Sequence, residues 1–208
     1  TKYKWYTANP PICRDGTGMS PCDYFGRGLV EKLPEDITVG VINVAVAGCS
    51  IDLFIEEKAQ DYLSKSEGWL KNIAAAYGNN PFRALVKAGK EAQKDGVIKG
   101  ILLHQGETNT GDANWPKNVK TVYDRLLMEL GLNGADVPLL VGEVVDSSVG
   151  GACGSHNNVI ANVPNVIPNS YVIQSDGLKH RGDGLHFSTD AMREFGKRYA
   201  EKMLTLLK

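Results

Sequence analysis

The sequence predicts an α/β protein built as a three-layer α/β/α sandwich around a parallel sheet. Short runs of β-branched and aliphatic residues alternate along the chain with longer amphipathic helical patterns, and such alternation is typical of parallel strands joined by crossover helices. The strand runs are almost continuously apolar, as expected where helices cover both faces of a sheet. With 208 residues, 42% of them hydrophobic, the chain can form one substantial core, so a single domain over residues 1–208 is predicted.

Four runs are predicted to form the strands of this sheet. The first, residues 37–46, is a near-continuous β-branched run, and the others occupy residues 98–103, 137–141 and 171–174. A strand buried on both faces shows no alternation of polar and apolar residues, so length and composition identify these runs.

Four helical patterns accompany the strands. The first covers residues 24–33 and is ended by Pro34. Asn80 and Asn114 are each followed by a proline within the first turn, which is typical of a helix N-terminus. The last helix is expected to begin after Ser188.

The charge balance argues against two classes of partner. The chain has 23 Lys and Arg against 24 Asp and Glu, a formal net charge of −1, so it lacks the basic surface that binds a phosphate backbone. No apolar run approaches the roughly 20 residues that a membrane span requires. We therefore expect neither nucleic acid nor a membrane as a partner.

The four cysteines do not form a recognisable framework. Their spacings match no zinc-binding or redox motif, and they are too sparse for a disulfide scaffold. Cys13 and Cys22 could still form a disulfide across the glycine-containing loop between them.

The candidate chemistry lies in the loops at the carboxyl ends of the strands, where parallel sheets place their sites. The clearest pair is Asp183 and His186, in a loop that Gly182 and Gly184 allow to turn tightly. At that spacing the carboxylate can accept the Nδ1 proton of the imidazole, which leaves Nε2 as a general base. The alternative is structural, with Asp183 forming a turn and His186 only preceding the helix cap at Ser188.

A second cluster, His104-Gln105-Gly106-Glu107, follows the second predicted strand. The Gln105 amide could donate to a developing oxyanion, and Glu107 could orient His104 or a neighbouring loop. His104 could equally be a satisfied core residue. A metal site is the weaker interpretation, because extended backbone does not place residues i and i+3 on one side.

A third cluster, Gly48-Cys49-Ser50, follows the first predicted strand. The Gly48 N–H could point into a pocket as an oxyanion donor, while Ser50 could cap the next helix. A glycine-x-serine turn can also present a nucleophilic serine, but the second glycine of that elbow motif is missing here.

These three segments, taken together and in this order, resemble the SGNH-hydrolase superfamily. They are Ala47-Gly48-Cys49-Ser50-Ile51, Leu103-His104-Gln105-Gly106-Glu107 and Asp183-Gly184-Leu185-His186-Phe187. The branch that the chain resembles is the sialate O-acetylesterase and acetylxylan esterase group, carbohydrate esterase family six. The resemblance covers nearly the whole chain. It implies a flavodoxin-like sheet and a serine esterase that removes O-acetyl groups from carbohydrates without a cofactor or metal.

The resemblance also implies catalytic roles. His186 would be the general base and Asp183 its orienting acid, although Glu143 at the end of the third strand is a rival that the sequence leaves open. Gly48 would supply a backbone oxyanion donor and Gln105 a side-chain donor. Glu107 would position these catalytic groups without contacting the substrate itself.

Other residues are candidates for binding the sugar. Ser50, Asn9 and Trp5 are predicted to contact the substrate, and the aromatic rings of Tyr6 and Trp115 could extend a stacking surface. The expected partner is an acetylated oligosaccharide or polysaccharide, and the resemblance favours a secreted or periplasmic location.

The sequence departs from the family pattern at the nucleophile. The family opens with a Gly-Gln-Ser-Asn-Met block after its first strand, and no such block occurs here. We expect the nucleophilic serine, together with the first strand of the sheet, to lie on an N-terminal segment of the same protein outside this chain. Two alternatives stay open: a carbohydrate-binding or inactive remnant of the fold, and metal-assisted hydrolysis by His104, Glu107 and His186.

Overall fold

A parallel three-stranded sheet lies at the centre of the fold. In the computed structural model, which describes residues 3–14 and 16–207, the strands pair side by side in chain order. They are β1 (Ile101–Leu103), β2 (Leu139–Gly142) and β3 (Ser170–Ile173). The central strand sets the register, since Val141 of β2 lies opposite both Leu103 and Val172. The predicted parallel α/β sheet is confirmed.

Seven α-helices surround this sheet within the described residues. They are α1 (Pro21–Lys32), α2 (Glu56–Lys65), α3 (Gly68–Ala75), α4 (Pro81–Ala92), α5 (Trp115–Leu130), α6 (Asn157–Ile160) and α7 (Thr189–Leu206). Of the predicted caps, Asn80 accepts from the Arg83 N–H and Ser188 from the Ala191 N–H. Helix α1 begins earlier than predicted, because the Ser20 hydroxyl accepts from the Cys22 N–H. None of these helices is long and apolar enough to cross a bilayer.

The residues of β2 alternate between two hydrophobic layers, which makes the fold an α/β/α sandwich. Leu140 packs on one face against Phe195 and Tyr199 of α7 and the apolar side of α1. Leu139 and Val141 pack on the other face against α5 and the segment around α6. All three β2 side chains are essentially inaccessible to solvent, so the sheet carries the core on both sides as the apolar runs predict.

Residues 37–46 do not form the predicted strand. Among the described residues, the segment forms no ladder of backbone hydrogen bonds to β1 or to another strand. Val41 nevertheless packs on the same hydrophobic cluster as Leu102 of β1, and the Ala45 N–H donates to the Tyr77 hydroxyl. The β-branched pattern therefore reports an apolar environment, whereas a strand additionally needs a neighbouring strand with which to pair.

Helices α2 and α3 form a small layer that the sequence pattern does not predict. Each is short and buries few apolar residues, Ala59 and Leu63 in α2 and Leu70 and Ala74 in α3. These side chains pack around the turn that follows residues 37–46. This layer therefore lies beside the loop of residues 47–50, which we call the Gly48 loop.

The cysteines are all free thiols in this structure. The possible disulfide between Cys13 and Cys22 is therefore not formed. Burial raises the pKa of the Cys22 thiol, and burial also raises that of Cys49 to about 12, so neither sulfur is an activated nucleophile.

Candidate active site

The loops after residues 37–46 and after β1 meet at one rim of the sheet. The Gln105 Nε2 donates to the Cys49 carbonyl at 3.0 Å, and the Thr108 hydroxyl donates to the Gly48 carbonyl at 2.9 Å. The side chain of Asn109 accepts from the Ile51 N–H at 3.0 Å. The structure thus brings together two of the three clusters that the sequence singles out.

The loop after β2 connects this rim to the Asp183 loop. The Ala152 N–H donates to the Gly184 carbonyl at 2.7 Å, and the neighbouring Cys153 thiol lies 3.7 Å from the Glu107 carbonyl. The His104 and Phe187 rings are also in contact, with centroids 5.8 Å apart. All three predicted clusters therefore belong to one continuous rim.

Asp183 and His186 form the hydrogen bond that their spacing predicts. His186 Nδ1 lies 2.8 Å from Asp183 Oδ2, and the other carboxylate oxygen accepts the His186 backbone N–H at 2.8 Å. Arg181 Nη2 also lies 3.3 Å from His186 Nδ1. The Asp183 carboxylate is nearer and can only accept, so we assign the proton of the neutral imidazole to Nδ1, which leaves Nε2 unprotonated. The His186 side chain is 56% exposed, so a reacting group can reach it.

Two neighbours that the sequence analysis does not identify hold this loop. His180 Nδ1 accepts from the Gly182 and Gly184 N–H groups at 2.9 and 3.0 Å. Arg181 Nε donates to Asp183 Oδ2 at 2.8 Å. The donors around Asp183 hold the pKa of its carboxyl well below the usual range, the His186 backbone N–H first and Arg181 next, so Asp183 is ionised over the whole physiological range.

Glu143 hydrogen-bonds through its carboxylate to Ser175 and not to His186. Its carboxylate accepts from the Ser175 N–H at 2.8 Å and from the Ser175 hydroxyl at 3.3 Å. Those bonds join the ends of β2 and β3. Burial raises the pKa of Glu143, whereas a carboxylate that orients a catalytic imidazole must stay charged. The geometry pairs His186 with Asp183.

The amide of Gln105 is fully engaged in this structure. Besides Cys49, its Nε2 donates to Asn109 Oδ1 at 2.9 Å, and its Oε1 accepts from Trp115 Nε1 at 2.6 Å. Donation to an oxyanion would therefore require one of the two Nε2 bonds to be released. Trp115 is fully buried, so it cannot stack against a sugar as the sequence suggests and instead holds Gln105.

The predicted substrate contacts fare differently from one another. Ser50 is buried, and its hydroxyl accepts from the Asp52 N–H and from Asn109 Nδ2, so it caps the turn that follows.

The other two predicted contacts are Trp5 and Asn9. Trp5 lies against Gly40 and its Nε1–H donates to Asp95, at the end of residues 37–46 that is remote from Gly48. Asn9 is exposed. In the part of the chain that is described, it makes no hydrogen bond to the rim.

His104 and Glu107 lie near each other but do not build a metal centre. His104 Nε2 is 3.8 Å from the Glu107 carboxylate, whereas His186 is paired with Asp183. Among the described residues, no group of three His, Cys, Asp or Glu side chains is arranged to hold a metal ion. The remaining histidine, His156, is fully buried, with its ring edge-on against Trp115. Burial lowers the pKa of His156, so this imidazole is neutral.

Gly48 has a backbone conformation and a neighbour that only glycine accommodates. Its φ is +66°, in the left-handed region. A Cβ at this position would lie 2.9 Å from the ring of Trp69. The Gly48 N–H donates to no protein acceptor among the described residues, so it is available to a ligand. Trp69 is 53% exposed and was not predicted as a site residue, because helix α3 carries no motif.

Comparison with known proteins identifies the family to which this chain belongs. A family model described as "Carbohydrate esterase, sialic acid-specific acetylesterase" matches residues 1–205. The chain belongs to this carbohydrate esterase family. The resemblance to the sialate O-acetylesterase branch of the SGNH hydrolases is thereby confirmed at the level of the family.

Two comparisons concern a plant relative of this esterase family. The "Probable carbohydrate esterase At4g34215" of Arabidopsis thaliana is 28% identical over 215 residues, which cover 97% of this chain and 72% of that protein. The 1.6 Å X-ray structure of the Arabidopsis protein AT4G34215 superimposes with a TM-score of 0.72 at 19% identity, covering 99% of this chain and 78% of that one. This likeness shows the α/β fold.

Replacing Gly48 with alanine is expected to impair both stability and esterase activity. The left-handed φ alone costs about 1–2 kcal/mol for a residue with a Cβ, and the new methyl group displaces Trp69 and shifts the exposed N–H. Gly78→Ala is the matched control, because Gly78 has a φ of +67° with no atom within 4 Å of a Cβ. We expect similar backbone destabilisation in both variants by thermal melting, but a loss of kcat only in Gly48→Ala. Equal kinetics in the two variants would contradict a role for this N–H.

Proposed function

We propose that this chain is the greater part of a serine esterase that removes O-acetyl groups from carbohydrates, with His186 as the general base. The observation that carries this proposal is the 2.8 Å bond between His186 Nδ1 and Asp183 Oδ2, with Nε2 facing away from the carboxylate on an accessible side chain. A family of carbohydrate esterases supplies the reaction class.

The proposed reaction follows the usual two steps of acyl transfer. A serine hydroxyl attacks the acetyl carbonyl while His186 Nε2 takes its proton, and Asp183 stabilises the imidazolium that forms. As the bond between the acetyl carbon and the sugar oxygen breaks, the same imidazolium gives its proton to that oxygen, and the sugar leaves with a free hydroxyl. Water, deprotonated by His186, releases acetate from the acyl-serine. The Gly48 N–H faces the charge that develops on the carbonyl oxygen, a contribution on the order of 3 kcal/mol for one such donor.

The nucleophile in this proposal lies on a segment outside the chain. Ser50 is a poor candidate, because its hydroxyl is buried and already bonded to two partners. The sheet offers a place for a further strand: β1 pairs only with β2 among the described residues, and the extended residues 37–46 pack on the same cluster as β1. A strand between the two would pair with both and would end at the rim beside His186.

The choice between the two carboxylates can be tested in the full polypeptide that contains this chain. Asp183→Asn is expected to lower kcat for p-nitrophenyl acetate about 10²- to 10⁴-fold, because the amide no longer stabilises the imidazolium. Glu143→Gln keeps an acceptor for Ser175 and is expected to leave kcat nearly unchanged. The reverse order of effects would identify Glu143 as the orienting acid.

The two carboxylates should affect the pH dependence of the free energy of unfolding in opposite directions. The pKa of Asp183 is lower in the folded state, so its contribution is present at neutral pH and is lost on acidification. The pKa of Glu143 is raised on folding, so the folded state binds this proton more tightly and loses stability as the pH rises from the ordinary carboxyl range. Urea midpoints measured across pH should therefore fall less steeply with rising pH in Glu143→Gln than in the wild type.

A further inference from the structure

A cavity of about 500 Å³ opens directly beside Gly48, between the Gly48 loop and helices α2 and α3. Tyr62, Trp69 and Leu70 form its apolar wall. The Tyr62 hydroxyl accepts the Ser50 N–H at 2.9 Å, which anchors this wall to the rim. The volume lies in the range of sites for small ligands.

The exposed ring of Trp69 is the feature of this wall that indicates ligand binding. It stands in the first turn of α3 and leaves 53% of its surface exposed. Its ring also lies so close to Gly48 that no side chain fits between them. A large, rigid and half-exposed aromatic surface binds the apolar C–H face of a ring at low entropic cost. Trp69 therefore presents a stacking surface in direct contact with Gly48, whose N–H we assign to the acetyl carbonyl.

The charged residues that line the cavity are mostly acidic. Lys58 is paired with Asp52 at 2.9 Å, and Lys65 with Asp61 at 2.7 Å. The two remaining acidic residues of the lining, Glu57 and Glu67, form no ion pair among the described residues. No unpaired cation is therefore offered to a ligand carboxylate, and the excess negative charge repels an anionic sugar.

We propose that this cavity binds a neutral sugar unit of the acetylated glycan, stacked on Trp69, and that it disfavours sialic acid and other anionic sugars. The placement of the acetyl group beside Gly48 rests on the proposed esterase function. The selection of a neutral ring rests only on the cavity, its aromatic wall and its charges.

Binding is best measured without turnover, in the full polypeptide carrying His186→Ala. The neutral probes are xylohexaose, mannohexaose and cellohexaose, and the anionic probe is 3′-sialyllactose, each titrated by calorimetry. We expect at least one neutral probe to bind, and 3′-sialyllactose to bind about tenfold more weakly or not at all. Failure of all neutral probes, or tighter binding of 3′-sialyllactose, would overturn the proposal.

Variants then test the residues. Trp69→Ala should weaken binding of the neutral probe about tenfold or more, and Trp69→Phe should restore most of it. Asn72→Ala, an exposed position further along α3, is the matched control and should bind like the parent. Unchanged binding in Trp69→Ala, with a normal melting curve, would refute the stacking role.

A double variant tests the charges without changing the apolar wall of the cavity. The double substitution Glu57→Gln and Glu67→Gln should strengthen binding of 3′-sialyllactose several-fold at low salt, with the neutral probe unaffected. An equal change for both probes would show that these carboxylates do not select against charge. None of these binding measurements needs hydrolysis. An inactive wild-type protein would therefore overturn the esterase proposal, whereas the proposal of neutral-sugar binding would still be decided by the titrations.

Discussion

Replacing His186 with alanine is expected to abolish measurable acetyl ester hydrolysis. The variant removes the only group of the Asp183 pair that can take a proton from the nucleophile, so kcat should fall by at least about 10³-fold. The side chain is 56% exposed, and its loss should therefore leave the melting temperature close to that of the wild type. The measurement is p-nitrophenyl acetate hydrolysis by the full polypeptide.

The control for this variant is Asp190→Asn. Asp190 lies four residues further along, at the start of α7, and has an almost fully exposed side chain paired with Arg193. We expect it to keep the wild-type kcat. Labelling with a fluorophosphonate probe, read by peptide mass spectrometry, should mark a serine outside this chain in the wild type and mark it much more slowly in His186→Ala. Full activity without His186, or a label on Ser50, would refute the proposed mechanism.

Of the substitutions considered, replacing Trp115 with alanine is expected to cause the largest loss in the free energy of unfolding. This tryptophan opens α5 with no solvent exposure, packs edge-on against His156, and donates its Nε1–H to Gln105. Truncating a buried tryptophan typically costs about 3–5 kcal/mol, because transfer energy is lost and a cavity remains. Chemical denaturation monitored by far-UV circular dichroism measures the effect.

Two companion variants separate packing from hydrogen bonding. Trp115→Phe fills most of the cavity but leaves Gln105 Oε1 without its donor, so we expect an intermediate loss of about 1–3 kcal/mol. Trp69→Ala removes the same side-chain type from a half-exposed position and should cost much less than Trp115→Ala. A similar loss of stability in Trp69→Ala and Trp115→Ala would contradict this assignment of one tryptophan to the core and the other to the surface.

The pairing of Asp183 with His186 could be predicted because it is local. Three residues separate the two side chains, and the glycines on either side of Asp183 let the loop close, so the carboxylate reaches both the ring and the backbone of His186. The role of His180 was not predictable in the same way. Its Nδ1 accepts two N–H groups of the loop, and only the folded path of the chain shows that the ring turns back towards it.

The contrast between Glu143 and Asp183 shows where sequence order misleads. Both carboxylates follow strands, and either could have faced the imidazole. In the fold, Glu143 is taken up by Ser175 of the neighbouring strand end, a contact between residues far apart in the chain. The same applies to Gln105, whose amide is predicted to be a free donor but joins Cys49, Asn109 and Trp115.

The sequence by itself determined the α/β/α class, the positions of the main helices, the family and the local Asp183–His186 pair, because each depends on periodicity, composition or neighbours within a few residues. Only the tertiary structure decided which apolar segments pair as strands, since residues 37–46 carry a strand pattern but no ladder. It also decided which tryptophan meets solvent. Burial and pairing are properties of surfaces that distant segments form together, and no single segment encodes them.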